Sequence, residues 1–220
     1  MNSQCIHKYK FVKKIICDEG YEEEINWQSN LNFYDITESC FIRELAWVIL
    51  STGIKEQIIR KIFGNLTPHF YNWESVKKIC CNEKKCYNGA IKIFGNKKKI
   101  KSILESARII NQFGYNNLKK EIEKSPIDTL KIFPFIGDVT VYHLAKNIGI
   151  NVAKPDRHLV RIAKNEGFND VQDFCRFISE RCEDSIPVID IVFWRFANLN
   201  SNYLEDLSSI NFNDAIECHI

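Results

Sequence analysis

Glycine and proline are scarce in this chain, with nine Gly and five Pro in 220 residues. That scarcity excludes a collagen-like chain or an extended low-complexity linker. No stretch approaches about 18 consecutive apolar residues, so no transmembrane helix is expected. Leu45–Leu50, the longest apolar segment with its neighbours, has the length of a core helix. Met1 to Lys14 contains no uninterrupted apolar region, so no secretory signal is expected. Strand-like alternation is missing at any length, and no segment repeats another. Bulk charge is also missing, since the formal net charge is only +2. What remains is a folded balance of 45% hydrophobic and 26% charged residues, sized for one large domain or two small ones.

The charge is unevenly distributed. Between Val76 and Lys101 stand nine lysines (77, 78, 84, 85, 92, 97, 98, 99 and 101) against one acid, Glu83. Asp18 to Glu24 is acidic, and Glu205, Asp206, Asp214 and Glu217 close a tail without Lys or Arg. Such a chain could turn a basic face to phosphates, although a solvated lysine-rich helix face explains the run at least as well. Nine cysteines are an odd number, and without a secretory signal they read as intracellular thiols. Cys80, Cys81 and Cys86 lack a paired C-x2-C and a nearby His, so free thiols are expected there rather than zinc ligands.

Nearly every segment past residue 40 has helical periodicity. Phe41 to Phe63 carries apolar residues at helical spacing and breaks at Ser51-Thr52-Gly53, which predicts two helices joined by a turn. Further helices are expected over Trp73–Cys81, Asn88–Phe94, Lys97–Phe113, Leu118–Lys124, Ile127–Phe133, Val139–Asn147, Arg157–Asn165, Val171–Cys182 and Val188–Asn198. Pro68, Pro126, Pro134, Pro155 and Pro187 all fall at boundaries of these elements, as helix-breaking residues should. The expected fold class is all-α, about ten short helices.

Two motifs carry chemistry. In Phe133-Pro-Phe-Ile-Gly-Asp-Val-Thr140, Pro134 ends one helix and another begins near Asp138–Thr140. Gly137 is expected to supply a φ > 0 conformation and room for another chain. The first N–H groups of the second helix would point outward with the positive end of the helix dipole, which suits a phosphate. An ordinary corner between helices would need the same glycine. In Lys154-Pro-Asp-Arg-His-Leu-Val-Arg161, Asp156 stands where a helix N-cap belongs. Arg157, His158 and Arg161 favour its ionised form, and such a carboxylate can stabilise the cation formed when a glycosidic bond breaks. Taken alone, the cap is the better reading of Asp156.

The combination, with Asp156 19 residues after Gly137, resembles the helix-hairpin-helix (HhH-GPD) DNA glycosylase superfamily. That family includes endonuclease III and the adenine and alkyl-base glycosylases. Phe133-Pro134-Phe135-Ile136-Gly137 resembles its L-P-G-V-G hairpin. Pro155-Asp156-Arg157-His158-Leu159-Val160-Arg161 resembles its V-D-x-H-x-x-R segment. Upstream, Glu44–Gly53 is similar to an early helix ending in L-L-S-x-Q, and Ile93–Ile100 to a G-x-x-x-x-K-A-x-x-I segment.

The resemblance implies a two-lobed helical fold with a cleft between the lobes. One lobe would span about 41–133, the hairpin and aspartate 134–161, and the second lobe 1–40 with 162–220. It implies a cytoplasmic monomer acting on double-stranded DNA with an extruded base. Asp156 would be the catalytic carboxylate. Ile136, Gly137, Asp138, Val139 and Thr140 would grip a phosphate, with a K+ or Na+ ion at the hairpin carbonyls near Phe133 and Phe135, and no other cofactor. Arg157, His158, Lys97 and Lys98 would add DNA contacts. Ser51, Thr52 and Gly53 would form the wedge turn, and Trp47 and Trp194 are candidate pocket walls, though core packing accounts for both. Arg43, Glu44 and Asp190 are further candidates for reading a base edge.

Departures from the family pattern narrow the activity. The lyase lysine is replaced by Val139, which forms no Schiff base, and Lys146 and Lys154 stand elsewhere. The wedge Gln is Gly53, and the first hairpin Gly is Phe135. Cys175 and Cys182 reproduce one spacing of an iron–sulfur site but no third and fourth cysteines follow, so no cluster is expected. A monofunctional glycosylase that leaves an abasic site is the expectation. Excision of a modified base in anti-phage defence lies within the family's range. The alternatives are a non-catalytic DNA-binding module and a glycosylase-derived enzyme of base hypermodification.

Overall fold

A computed structural model describes residues 2–210, with side chains from residue 4 onward. Asp214 and Glu217 of the acidic tail lie outside the described residues. The fold is all-α, as expected. In chain order the helices are α1 (Asn2–Ile16), α2 (Glu22–Ser29), α3 (Glu38–Ser51), α4 (Glu56–Leu66), α5 (Val76–Cys81), α6 (Glu83–Ile93) and α7 (Lys97–Phe113). They continue as α8 (Tyr115–Lys124), α9 (Pro126–Leu130), α10 (Thr140–Asn147), α11 (Arg157–Asn165), α12 (Val171–Ser179), α13 (Ile186–Leu199) and α14 (Tyr203–Ser209). None is long and apolar enough to cross a membrane among the described residues.

The chain divides into two compact units, and the divisions fall at Leu31/Asn32 and Ile150/Asn151. The hairpin lies whole within the central unit, Asn32–Ile150, and Asp156 within the unit formed from the described residues on either side.

In the central unit, α3 buries Phe41, Ile42, Leu45, Ala46, Val48, Ile49 and Leu50. Thr37 caps its start, Oγ1 accepting from the Cys40 amide at 3.2 Å. α7 packs against it through Ile100, Ile103, Leu104, Ala107 and Ile110, and Asn96 caps α7 by accepting from the Lys99 amide at 3.2 Å. Each such aliphatic side chain contributes roughly 1.5–3 kcal/mol on burial. The two helices are joined by a polar contact as well. The Lys99 ammonium, 4% exposed, donates to the Leu50 carbonyl at 2.6 Å and the Thr52 carbonyl at 2.5 Å. It satisfies carbonyls at the end of α3 that have no helical partner and sits at the negative pole of that helix. Phe63, Phe70 and Trp73 stack beside this core. Gly149 closes the unit at φ 83, where a Cβ would stand 2.5 Å from the Phe33 amide nitrogen.

In the other unit, α13 is the central helix, burying Ile186, Val188, Ile189, Val192, Phe193 and Phe196. α1 lays Cys5, Tyr9, Val12 and Ile16 into the same core. The Tyr9 hydroxyl and the Lys13 ammonium both donate to the Asp184 carboxylate at 2.7 Å. Lys8 pairs with Glu166 at 2.8 Å. Cys175 is buried in this core and Cys182 half-buried, and burial pushes the Cys182 thiol up. Cys80, Cys81 and Cys86 are free thiols.

Burial pulls the Lys99 pKa down from 10.5 to about 8. Between those values the unfolded chain binds the proton and the folded one does not, so this group's contribution to stability rises as pH climbs through that window. Lys99→Met leaves two carbonyls without their donor, and should cost about 1–3 kcal/mol in urea unfolding at neutral pH. The gap between wild type and variant should widen from pH 8 to 10.5; a pH-independent gap would contradict a buried ammonium.

Candidate nucleic-acid interface

The hairpin is α9, a turn over residues 131–139, and α10. Helix α9 stops at Leu130, short of the expected Phe133, because Pro134 disfavours helix in the residue before it. Phe133 and Ile136 are buried and anchor the turn, while Phe135 and Val139 face solvent, 40% and 42% exposed. The left-handed residue is Phe135, at φ 66, not Gly137. The turn thus has its left-handed residue at the third position of Phe133-Pro134-Phe135-Ile136-Gly137, with a phenylalanine in it. That conformation costs a non-glycine residue about 1–2 kcal/mol. Gly137 has no positive φ, and nothing lies within 4 Å of where its Cβ would be. The space above it is open for an approaching group.

Thr140 organises the turn. Its hydroxyl accepts from the Gly137 amide at 2.7 Å and donates to the Phe135 carbonyl at 3.0 Å. The Gly137 amide is therefore spent internally, and so is that of Ile136, which donates to the Phe133 carbonyl at 3.1 Å. This corrects the expected set of gripping amides. The N–H groups of Asp138, Val139 and Thr140 precede the first bond of α10, Val141 to Gly137 at 2.9 Å, and they are the ones left to point outward. Asp138 carries an exposed carboxylate, bonded by the Lys131 ammonium at 2.7 Å, which holds it below the usual range. The carbonyls of Phe133 and Phe135 each already accept one hydrogen bond in the turn. With one lone pair left on each, they are fewer oxygens than a cation cage takes.

Thr52, Phe135, Ile136, Gly137, Asp138, Val139 and Thr140 line one shallow depression of about 450 Å³. The turn after α3 and the hairpin thus meet on one surface. Lys99 lies between them, its ammonium 5.9 Å from the Phe135 ring. Ser51 and Thr52 both turn their hydroxyls back to the Val48 carbonyl, at 3.2 and 2.8 Å, and Gly53 follows at φ 69. Lys97 and Lys98 are exposed in the first turn of α7. Glu44 on α3 accepts from the Asn147 amide at 3.0 Å, and burial raises its pKa. This carboxylate ties α3 to α10 and is not available to read a base. Trp47 lies edge-on to Phe63 at 5.2 Å, a packing role.

In the other unit, Asp156 caps α11. Its Oδ1 accepts from the His158 amide at 2.9 Å and the Leu159 amide at 3.0 Å, and among the described residues nothing donates to Oδ2. The segment leading to it is irregular yet tightly held. Asn151 accepts from the Ile186 amide at 3.1 Å, and Gln172 brackets Ala153 from both sides at 2.9 and 2.6 Å. The buried Asp190 takes the Lys154 amide at 2.5 Å. Asp190 therefore positions the segment that carries Asp156 and cannot read a base edge. His158 is half-buried against Tyr203, ring centroids 5.4 Å apart, and its Nε2 accepts from Arg157 at 3.2 Å. Burial lowers its pKa. Arg157 is exposed, while Trp194 lies beside its neighbour Arg195, 4.7 Å from the ring, and Arg195 pairs with Glu24 at 2.6 Å.

Phe135→Gly and Phe135→Ala both remove the ring, but only glycine adopts φ 66 without strain. The glycine variant should exceed the alanine variant by about 1 kcal/mol in urea unfolding, the reverse of their order in a helix. Equal stabilities would contradict the left-handed turn. Compared with known proteins, this chain matches no family model, no curated sequence and no solved structure.

Proposed function

We propose that this protein is a monofunctional DNA glycosylase of the helix-hairpin-helix type, hydrolysing the N-glycosidic bond of an extruded base. The observation that carries the reading is the hairpin itself. A turn with its left-handed residue at the family's glycine position leaves three outward amides at the start of α10, under open space at Gly137. Backbone amides with a helix dipole behind them are suited to a phosphate. Lys97 and Lys98 raise positive charge at the start of α7, where the dipole already disfavours it, and a nearby phosphate would relieve that conflict. Phe135, exposed beside the amides, supplies the apolar wedge that Gly53 lacks, filling the space of the flipped base.

Asp156 then acts with its unused Oδ2. Ionised, it stabilises positive charge at C1′ as the C1′–N bond breaks and orients the water that adds there. The base leaves with the bond pair and takes a proton, and an abasic site remains. Val139 stands at the lyase position, so no Schiff base forms and strands break only after alkali. The second reading is a DNA-binding module without catalysis, favoured by one observation: the cap fully accounts for Asp156.

Asp156→Asn separates the two, because Asn caps as well as Asp. Both proteins would be incubated with duplexes carrying uracil, mispaired thymine, 8-oxoguanine, alkylated purines and modified phage bases, and released base followed by mass spectrometry. The expected result is release by wild type and a loss of about 100-fold or more in the variant at unchanged stability. No release by either, with equal binding, would assign the protein to the binding module.

A further inference from the structure

The lysine-rich stretch contains a built feature away from the hairpin residues. His69 lies directly over Gly89 in the middle of α6. A Cβ at Gly89 would stand 2.2 Å from the His69 Nδ1 and 2.8 Å from its Cγ. Glycine inside a helix costs about 1 kcal/mol, and here it is what seats the ring. His69, Lys84, Lys85, Asn88, Gly89 and Lys92 together line an open depression of about 560 Å³. No carboxylate lines it. The nearby acids are engaged, Glu83 with Arg108 at 2.8 Å and Glu74 with Lys78 at 3.3 Å. Lys84, Lys85 and Lys92 have no ion pair among the described residues. Three lysines and a seated imidazole thus line one depression, with no carboxylate among the described residues that line it.

The segment carrying His69 is itself strained. Tyr71, Asn72 and Trp73 follow one another at φ 55, 53 and 64, each in the left-handed region. Trp73 holds the turn, stacking on Phe70 at 4.6 Å and donating from its indole to the Thr67 hydroxyl at 3.0 Å. The turn places the Tyr71 ring 4.9 Å from the Lys78 ammonium and 5.7 Å from that of Lys85. Strain of this kind persists where the surroundings over-determine it, and it gathers at binding sites.

We infer that this depression binds a backbone phosphate of a DNA strand, a second contact in addition to the hairpin. The ligand is an oxyanion, held by three ammonium groups, the Asn88 amide and the imidazole. A strand fits better than a single small phosphate because the lysine run continues on either side in the sequence. Lys77 and Lys78 precede it, and Lys97, Lys98 and Lys101 follow, all exposed. The inference rests on nucleic acid being the partner, but on neither catalysis nor the hairpin.

The test is fluorescence anisotropy with a labelled duplex over a salt series, using wild type, Lys84→Gln/Lys85→Gln/Lys92→Gln, and the hairpin variant Gly137→Leu. The triple variant should weaken binding at least tenfold at low salt and flatten the log–log salt dependence by about two to three, at unchanged unfolding midpoint. It should do so in the Gly137→Leu background as well, which keeps this site separate from the hairpin. Gly89→Ala alone should lower the unfolding midpoint, and adding His69→Ala should restore it while binding stays weakened. Unchanged affinity and slope in the triple variant would overturn the inference. So would loss of duplex binding from millimolar inorganic phosphate at constant ionic strength without any change in the triple variant's slope, which would mark a small-anion site. Absence of duplex binding by wild type would remove this inference and the functional reading together.

Discussion

A buried ammonium holds the central unit in register. Among the described residues Lys99 is partnered by the carbonyls of Leu50 and Thr52 at the end of α3 and the face of Phe135, with no carboxylate paired to it. A buried charge without compensation is costly. Here the compensation is the negative pole of a helix and two short hydrogen bonds. The end of α3, the start of α7 and the hairpin are distant in sequence, and this one side chain brings all three together. The surface they share follows from it. Thr52 and the hairpin residues line one depression because the carbonyl end of α3 is fixed to α7.

The surface carries several local conflicts. Phe135 occupies a conformation that suits glycine, three consecutive residues from Tyr71 are left-handed, and the exposed Lys97 and Lys98 crowd the wrong end of α7. Each lowers stability in the isolated protein. Each also presents something outward: an aromatic ring beside free amides, a tyrosine between ammonium groups, a concentration of positive charge. A polyanion is the partner chemistry that relieves the electrostatic part of all this.

Much of the helix content was legible in the sequence, since apolar spacing and proline placement mark α3, α7, α10 and α11. The first helices were not read, although Cys5, Tyr9, Val12 and Ile16 keep helical spacing; basic residues interleaved among them hide the stripe. The helix expected from Trp73 starts at Val76, and Trp73 belongs instead to a left-handed turn, because nothing in Tyr-Asn-Trp signals φ > 0. Trp73 there stacks on Phe70 and on the more distant Phe63. At the hairpin, the residue types were read correctly and the conformations exchanged: glycine suggested the left-handed position, and Phe135 holds it. The division of the chain placed Asp156 and the hairpin in different units, which short-range pattern could not indicate. His69 escaped notice because its significance lies in Gly89, 20 residues on.

The central claim is that the amides of Asp138, Val139 and Thr140, fixed by the turn and by Lys99, receive a phosphate. Hydrogen–deuterium exchange of these three amides, with and without saturating duplex DNA, tests it directly. The account predicts slowed exchange at all three on binding, with little change at Gly137, whose amide is already bonded to Thr140. Unchanged exchange at the three positions while the duplex is bound would contradict it.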